Sequence, residues 1–362
     1  MPTIKHLAVR WDWLHAFTTS TDASVQERTG KTAVHNALEH PDFHYRAPSW
    51  SRVVAPHKLE IDSGAAAMEI EIQAAFDGGL SGWMFLRYPT DAINDGFNRG
   101  LAIYQASPNK AKVPWCSLEG TATLGTPASN AAQVSRLVAE MGQEHYFKVL
   151  GGRPLLGLYG NGSGWAAHWG SLAAFKTVID SIRSSAQAAG LANPYVVAYC
   201  GPEGATATAL GADAISDYIG NPSLDTNVTY AAQDARTRAY WATLAAAFPK
   251  IVPPAMAGWN RAPRKRRPDW SNGARTSAGA IRHHGWRPYM GIAQEVAEAT
   301  AAELAAHAQA ATDYCAANPA VCEAQVVTWY NWCENSEGGY LMPTLGVPAG
   351  KLSWIKAVLL AS

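Results

Sequence analysis

"GAAAMEIEIQAAFDGGLSGWMFLRY", residues 64–88, carries two periodicities back to back. Up to Asp77 the residues suit a helix with an apolar face. Gly78 and Gly79 then supply the stop that a helix C-terminus favours. From Leu80 the pattern becomes a short apolar run of strand length. The couplet reads as helix, tight turn, buried strand.

The same couplet recurs along the chain. Strand-like runs cover 4–11, 80–88, 112–120, 153–160, 194–201, 212–220, 251–259 and 324–332. Helical patterns cover 91–107, 130–150, 171–190, 231–248, 295–317 and 351–360, and a short helix lies between the fifth and sixth strands. Several strands are near-continuously apolar, as expected when both faces of a sheet are covered. Alternation of strand and helix argues for a parallel sheet. Eight repeats favour an α/β fold of the single (β/α)8 TIM-barrel type over an open doubly wound sheet. Neither GxGxxG nor GxxxxGK[ST] follows the first strand, which weakens nucleotide-binding alternatives. Composition shows no break, so residues 1–362 read as one domain.

Two connections are long. βα loop 1 runs from about Phe17 to Ile61 and βα loop 7 from about Arg261 to Ile292. Long βα loops stand on the catalytic face of a barrel, so both are expected to wall a cleft.

Composition narrows the function. Formal net charge is zero, which provides no global field for nucleic acid or an anionic membrane. No apolar run reaches ~18 residues, so a transmembrane helix is not expected. The chain is expected to be soluble. It opens "MPTIKHLAVRWDW", without a basic segment followed by an apolar one. A leader removed beforehand leaves secretion or a periplasmic location open.

The five cysteines are scattered and form no disulfide framework. Cys315 and Cys322 flank "AANPAV" and either pair in an oxidising compartment or stay ordinary thiols. CxxC and HExxH are absent, and the adjacent His283 and His284 are poorly spaced as ligands. Neither metal nor cofactor is expected. Tryptophan is abundant, at 14 residues, and offers flat apolar surface for cores and for sugar faces alike.

In a barrel, chemistry gathers at the C-terminal ends of strands. Those ends give Asp12, Tyr88, Glu119, Tyr159, Tyr199, Asp217, Trp259 and the pair Glu334 and Glu337. No GxSxG nucleophile motif occurs. Carboxylates among aromatics are what glycoside hydrolysis needs: one acid for the leaving oxygen, and one base or nucleophile for the sugar. Single acids at strand ends commonly anchor loops. The glutamate pair differs, because positions three apart in a regular strand point to opposite faces. Both can face one cleft only if the chain turns between them. Asn335 and Ser336 are turn formers, and Gly338 and Gly339 allow the positive φ of an exit. Trp11, Trp83, Trp259 and Tyr340 are candidate stacking surfaces. Arg264, in the basic run 264–267, either faces solvent or contacts an acidic sugar or a phosphate. Trp241 and Trp354 read as core.

The closing stretch "YNWCENSEGGYLMPT", residues 330–344, resembles the "YAWNEFxEGGWLxPT" signature of glycoside-hydrolase-family-99-like proteins, the group around endo-α-mannosidases and endo-α-mannanases. "HPDFHYRAPSWS" (40–51), "MEIEIQAAFDGGLSGWMFLRYP" (68–89) and "AMAGWNRAPR" (255–264) resemble further segments of that family, in the same order. The resemblance implies a (β/α)8 barrel acting on glycosidic bonds of a poly- or oligosaccharide. It places the catalytic glutamates on Glu334, assisting through the sugar 2-hydroxyl by way of a 1,2-anhydro intermediate with net retention, and on Glu337, the general acid. Glu337 is then expected to have a raised pKa, with Arg264 available to keep one carboxylate charged. Glu119 and Asp217 are expected to bind sugar or hold the pair. Three positions depart from the pattern: Cys333 stands for Asn, Asn260 for Asp, and Asn335 for an aromatic residue. Mannose specificity is therefore not carried over. Alternatives are a glycosyltransferase-like enzyme of surface-polysaccharide assembly and a non-catalytic carbohydrate-binding barrel. A lyase would need a Tyr/His or Lys base.

Overall fold

A computed structural model of the chain describes residues 3–15, 30–89, 97–221, 228–265 and 296–362. Among these, eight parallel strands form the sheet of a (β/α)8 barrel: β1 Lys5–Arg10, β2 Gly82–Arg87, β3 Trp115–Gly120, β4 Arg153–Tyr159, β5 Tyr195–Tyr199, β6 Ala214–Ser216, β7 Pro254–Met256 and β8 Val326–Tyr330. Hydrogen bonding runs in the order β7-β8-β1-β2-β3-β4-β5-β6. The helices that follow the strands are α1 Ala65–Asp77, α2 Arg99–Ala106, α3 Ala131–Met141, α4 Leu172–Ala188, α5 Gly204–Leu210, α6 Tyr230–Ala247, α7 Ala301–Ala317 and α8 Leu352–Ala361. All eight strand segments expected from the sequence are present.

The seam between β6 and β7 closes the ring and is thin. It holds a single parallel bridge, Ile215 to Ile251. Ile215 N donates to Lys250 O at 3.0 Å, and Val252 N donates to Ile215 O at 2.9 Å. The chain then reads Pro253-Pro254, and proline has no N–H to extend a ladder. By contrast, β4 and β5 pair through Leu155↔Tyr195 to Tyr159↔Tyr199 without interruption.

Two helix boundaries differ from the sequence reading. The helix expected over 130–150 ends at Met141, once its buried stripe of Val134, Leu137 and Met141 is complete. Tyr146 then turns inward, and its hydroxyl donates to Leu155 O at 2.9 Å. The helix expected from residue 295 starts at Ala301, because Thr300 and Glu303 form a capping box that fixes its first turn. In the helix expected over 91–107, the described part is Arg99–Ala106, and residues 90–96 lie outside the described set.

Loop 1 is built rather than plain. After Trp11 it contains the helix Gly30–Leu38, the 3-10 turn Pro41–Arg46 and the hairpin Arg52–Ala55/Lys58–Glu60. Loop 7 opens with the short helix Ala262–Lys265 and is described again from Val296, which bridges to Val228. Residues 266–295, including His283, His284 and part of the basic run, fall outside the described residues, as does the side chain of Arg264.

Candidate active site

The last strand delivers the two glutamates. Beyond Tyr330 the chain forms a minimal antiparallel ladder, Cys333–Glu334 against Gly339–Tyr340, around a 3-10 turn at Asn335–Glu337. This is the turn that both carboxylates need to share one face. Gly338 adopts φ +78°, where a side chain is strained. A Cβ on Gly339 would lie 2.2 Å from the Tyr330 ring, so that close approach also requires glycine.

Glu334 and Glu337 are 4% and 6% exposed and line one pocket of about 230 Å³ with Trp11, Tyr88, Tyr159, Tyr218, Trp259 and Arg261. Tyr330 donates its hydroxyl to Glu337 Oε2 at 2.5 Å. Arg261 Nε lies 3.1 Å from Glu337 Oε1. Burial, followed by the charges of Glu337 and Glu334, pushes the Tyr330 phenol well up, so it stays a donor. Asn331 Nδ2 donates to Tyr218 Oη at 3.1 Å, fixing another wall. Among the described residues Arg261 stands beside Glu337; the side chain of Arg264, the arginine expected from the sequence, lies outside them.

A larger cavity of about 620 Å³ adjoins the glutamate pocket and shares Leu86, Tyr88 and Tyr159 with it. Asp217 lines this cavity. Burial raises its pKa, although Tyr240 Oη donates to Oδ2 at 2.6 Å. Tyr159 is pushed up to about 12 by burial, then by Asp217, Glu337 and Glu334, and it lines both the Asp217 cavity and the glutamate pocket. A third, polar recess of about 270 Å³ contains Glu119. Burial alone would raise the Glu119 carboxyl, but Arg136 and Arg87 outweigh it and hold it below the usual range. Arg136 Nη2 lies 3.1 Å from both of its oxygens.

Trp11, Tyr88, Tyr159, Trp259 and Asp217 therefore stand around one cleft with the glutamates, and Tyr199 lines its larger chamber. Glu119 sits beside it, occupied by Arg136. Three expected residues do not reach it. Asp12 is buried and paired with Arg10 at 3.2 Å. Trp83 is fully buried; the Arg10 guanidinium lies 4.7 Å from its ring and the Trp332 ring 5.2 Å away, so it presents no face to a ligand. Tyr340 is covered by Lys351 Nζ, 4.0 Å from its ring centre. A strand's apolar residues look alike in sequence whether they lie in the barrel's layers or at its mouth.

Sequence reasoning missed Tyr330, Arg261 and Tyr218. It also missed two networks that hold the glutamate turn. In one, Glu71 of α1 accepts from Trp332 Nε1 at 2.6 Å and from Arg10 Nη2 at 3.0 Å, fixing the residue two before Glu334. A glutamate buried in mid-helix between Ile70 and Ile72 was the available signal. In the other, Arg46 of loop 1 donates to Asn260 O at 2.9 Å, and its own carbonyl accepts from Asn335 Nδ2 at 2.6 Å. Asn260 N in turn donates to Glu337 O at 2.5 Å. Asn335 thus ties the turn to loop 1 through its side chain, and Asn260 does so through its backbone. Among the described residues, no group of three His, Cys, Asp or Glu could hold a metal, and no helix is long and apolar enough to cross a membrane.

Fold and cleft together define a (β/α)8-barrel protein with paired carboxylates at its mouth. Solved structures with the same fold include the family GH99 endo-α-mannosidase of Bacteroides thetaiotaomicron, at TM-score 0.55 and 11% identity over 98% of this chain and 96% of that one. The same enzyme in complex with Bis-Tris-propane gives TM-score 0.53 with equal identity and coverage. Similarity at this level establishes the fold. No family model matches the chain, and no curated protein matches it.

Proposed function

We propose that the protein is a glycoside hydrolase acting on a poly- or oligosaccharide. The observation that carries this reading is the convergence of Glu334 and Glu337 on one aromatic-walled pocket. In this proposal Glu337 is the general acid and Glu334 the base or 2-hydroxyl assistant. Trp11, Tyr88, Tyr159 and Trp259 present ring surface to sugar faces, and Asp217 accepts a sugar hydroxyl from the adjoining chamber. That chamber gives room for sugar beyond the reacting unit. Likeness to the endo-α-mannosidase supports the reaction class; the sugar and the linkage are left to experiment.

The test is a panel of polysaccharides and aryl glycosides, hydrolysed by the wild type and by Glu337→Gln. Unactivated substrates should lose ~10²–10⁴-fold in kcat, and substrates with good leaving groups much less. Full retention of activity by Glu337→Gln on unactivated substrates refutes the assignment. Bis-Tris-propane, present in a complex of the bacterial mannosidase, serves as a first small-molecule competitor to try in these assays.

A further inference from the structure

The larger chamber of the cleft holds an acid that meets only neutral donors. Asp217 follows β6 and is partly exposed to the chamber, and Tyr240 of α6 donates its hydroxyl to Oδ2 at 2.6 Å. Among the described residues no basic side chain pairs with it. Two neighbouring acids differ: Glu337 has Arg261 at 3.1 Å, and Glu119 has Arg136 at 3.1 Å. Glu203, next to Pro202 of the chamber wall, repeats the Asp217 pattern. It accepts from Gly162 N at 2.7 Å and from Thr206 Oγ1 at 3.0 Å, and no described basic side chain pairs with it. Arg87 is the one basic side chain lining the chamber among the described residues. It ends β2, opposite β6 in the eight-strand order, and is engaged with Glu140 at 3.2 Å. Glycine keeps the approach to Asp217 open. Gly201 lies at φ +63°, and a Cβ there would stand 2.9 Å from Tyr240 Oη and 3.3 Å from Asp217 Oδ2. Tyr88 and Tyr159 line the same chamber, and tyrosine rings attract cations.

We propose that this chamber takes a sugar unit bearing a primary ammonium, that the substrate class is a poly- or oligosaccharide with free amino sugars, and that Asp217 determines this specificity. The proposal rests on the glycoside-hydrolase reading and refines it: the donor to Asp217 is an ammonium in place of a neutral hydroxyl. A carboxylate partly withdrawn from water and met only by neutral donors is under-compensated. The ligand group that answers it best carries positive charge and donates as well. A sugar ammonium does both. A hydroxyl supplies the bond without the charge. Acetylation of the nitrogen removes the charge and two of the three N–H donors, so an N-acetylated unit loses the preference. An acidic sugar would face Asp217 and Glu203 at the same end of the chamber and is disfavoured.

The experiment is calorimetric titration of the whole protein at mildly acidic pH, where a sugar amine carries its proton. The probes are the methyl glycosides of glucosamine, galactosamine and mannosamine, each beside its N-acetyl form. At least one amine should bind ~10–100-fold more tightly than its acetylated partner. Asp217→Asn, which keeps the side-chain shape, should abolish that preference, and Glu337→Gln should retain it. Three results overturn the proposal: no amine preference anywhere on the panel, a preference that survives Asp217→Asn, or one that Glu337→Gln removes, which would put the ammonium on the glutamate pair. The wild-type comparison needs no variant to fold. Binding is read without turnover, so a wild type that hydrolyses nothing undermines the glycosidase reading and leaves this measurement to stand or fall alone.

Discussion

Tyr330 closes the last barrel strand and, through its hydroxyl, donates to the carboxylate of Glu337, seven residues further on. The bond spans the turn it stabilises. Tyr330→Phe removes the donor and leaves the buried Glu337 carboxylate with one hydrogen bond fewer. A loss of ~1–3 kcal/mol in folding stability is expected from chemical denaturation. On a substrate identified by the panel, kcat should fall more than KM changes. Equal stability and kcat in variant and wild type contradict this role for the bond.

Glycines near the pair are not equivalent to those elsewhere. Gly338 lies at φ +78°, and a Cβ there would stand 2.9 Å from Asn260 N, whereas Gly190 lies at φ +80° in open space. Gly190→Ala should cost only the left-handed strain, ~1–2 kcal/mol. Gly338→Ala adds the collision with Asn260 and should also displace Glu337. Thermal melts of the two variants side by side check the difference; matching losses contradict the steric argument.

Stability in acid should depend on Glu298. Its carboxylate lies 2.6 Å from Arg46 Nη2 and 2.6 Å from Lys351 Nζ. Burial alone would raise its pKa, but Lys351 and Arg46 outweigh it and bring it to about 2. A carboxyl lowered on folding gives stability that is complete above its unfolded pKa and lost as pH falls through the folded one. The window is therefore pH 4.5 down to about 2. Glu298 keeps 31% exposure, so solvent screening reduces the gain. Glu298→Gln should be less stable than wild type at pH 6, with the gap narrowing across that window. A constant gap from pH 6 to pH 2 argues against it.

Tyr159 and Trp83 separate cleft from core. Tyr159 is 37% exposed and lines both chambers of the cleft, while Trp83 is fully buried. Trp83→Ala should cost ~3–5 kcal/mol of stability. Tyr159→Ala should fold nearly as well as wild type and lose affinity for any ligand the panel identifies. Isothermal titration and denaturation together read both effects.

The eight strands were legible because a barrel buries both faces of its sheet and so writes apolar runs into the chain. The turn at Asn335–Glu337 was legible for a different reason: two glycines and two turn formers beside acidic residues have few other uses. Depth along a strand was not. Trp83, near the start of β2, and Trp259, just past the end of β7, are the same residue type in similar surroundings, and only the barrel's stagger assigns one to the core and the other to the mouth. Arg261 and Arg46 escaped for a related reason. Their partners, Glu337 and Asn260 with Glu298, lie on other loops, and pairing across loops leaves no periodic trace. Helix ends depended on local devices, such as the Thr300 box, that outrank the apolar pattern.

The prolines at the start of β7 have a dynamic consequence. With one bridge joining β6 to β7, the ring is weakest there, and amide exchange should be fastest for Ile215 and Val252 among the barrel's hydrogen-bonded strands. Asp217 follows one side of that join and Trp259 the other, so the two walls of the cleft are separated by the easiest line along which the barrel can part. Two missing N–H groups at one end of the strand thus mark the line on which the cleft opens at the other.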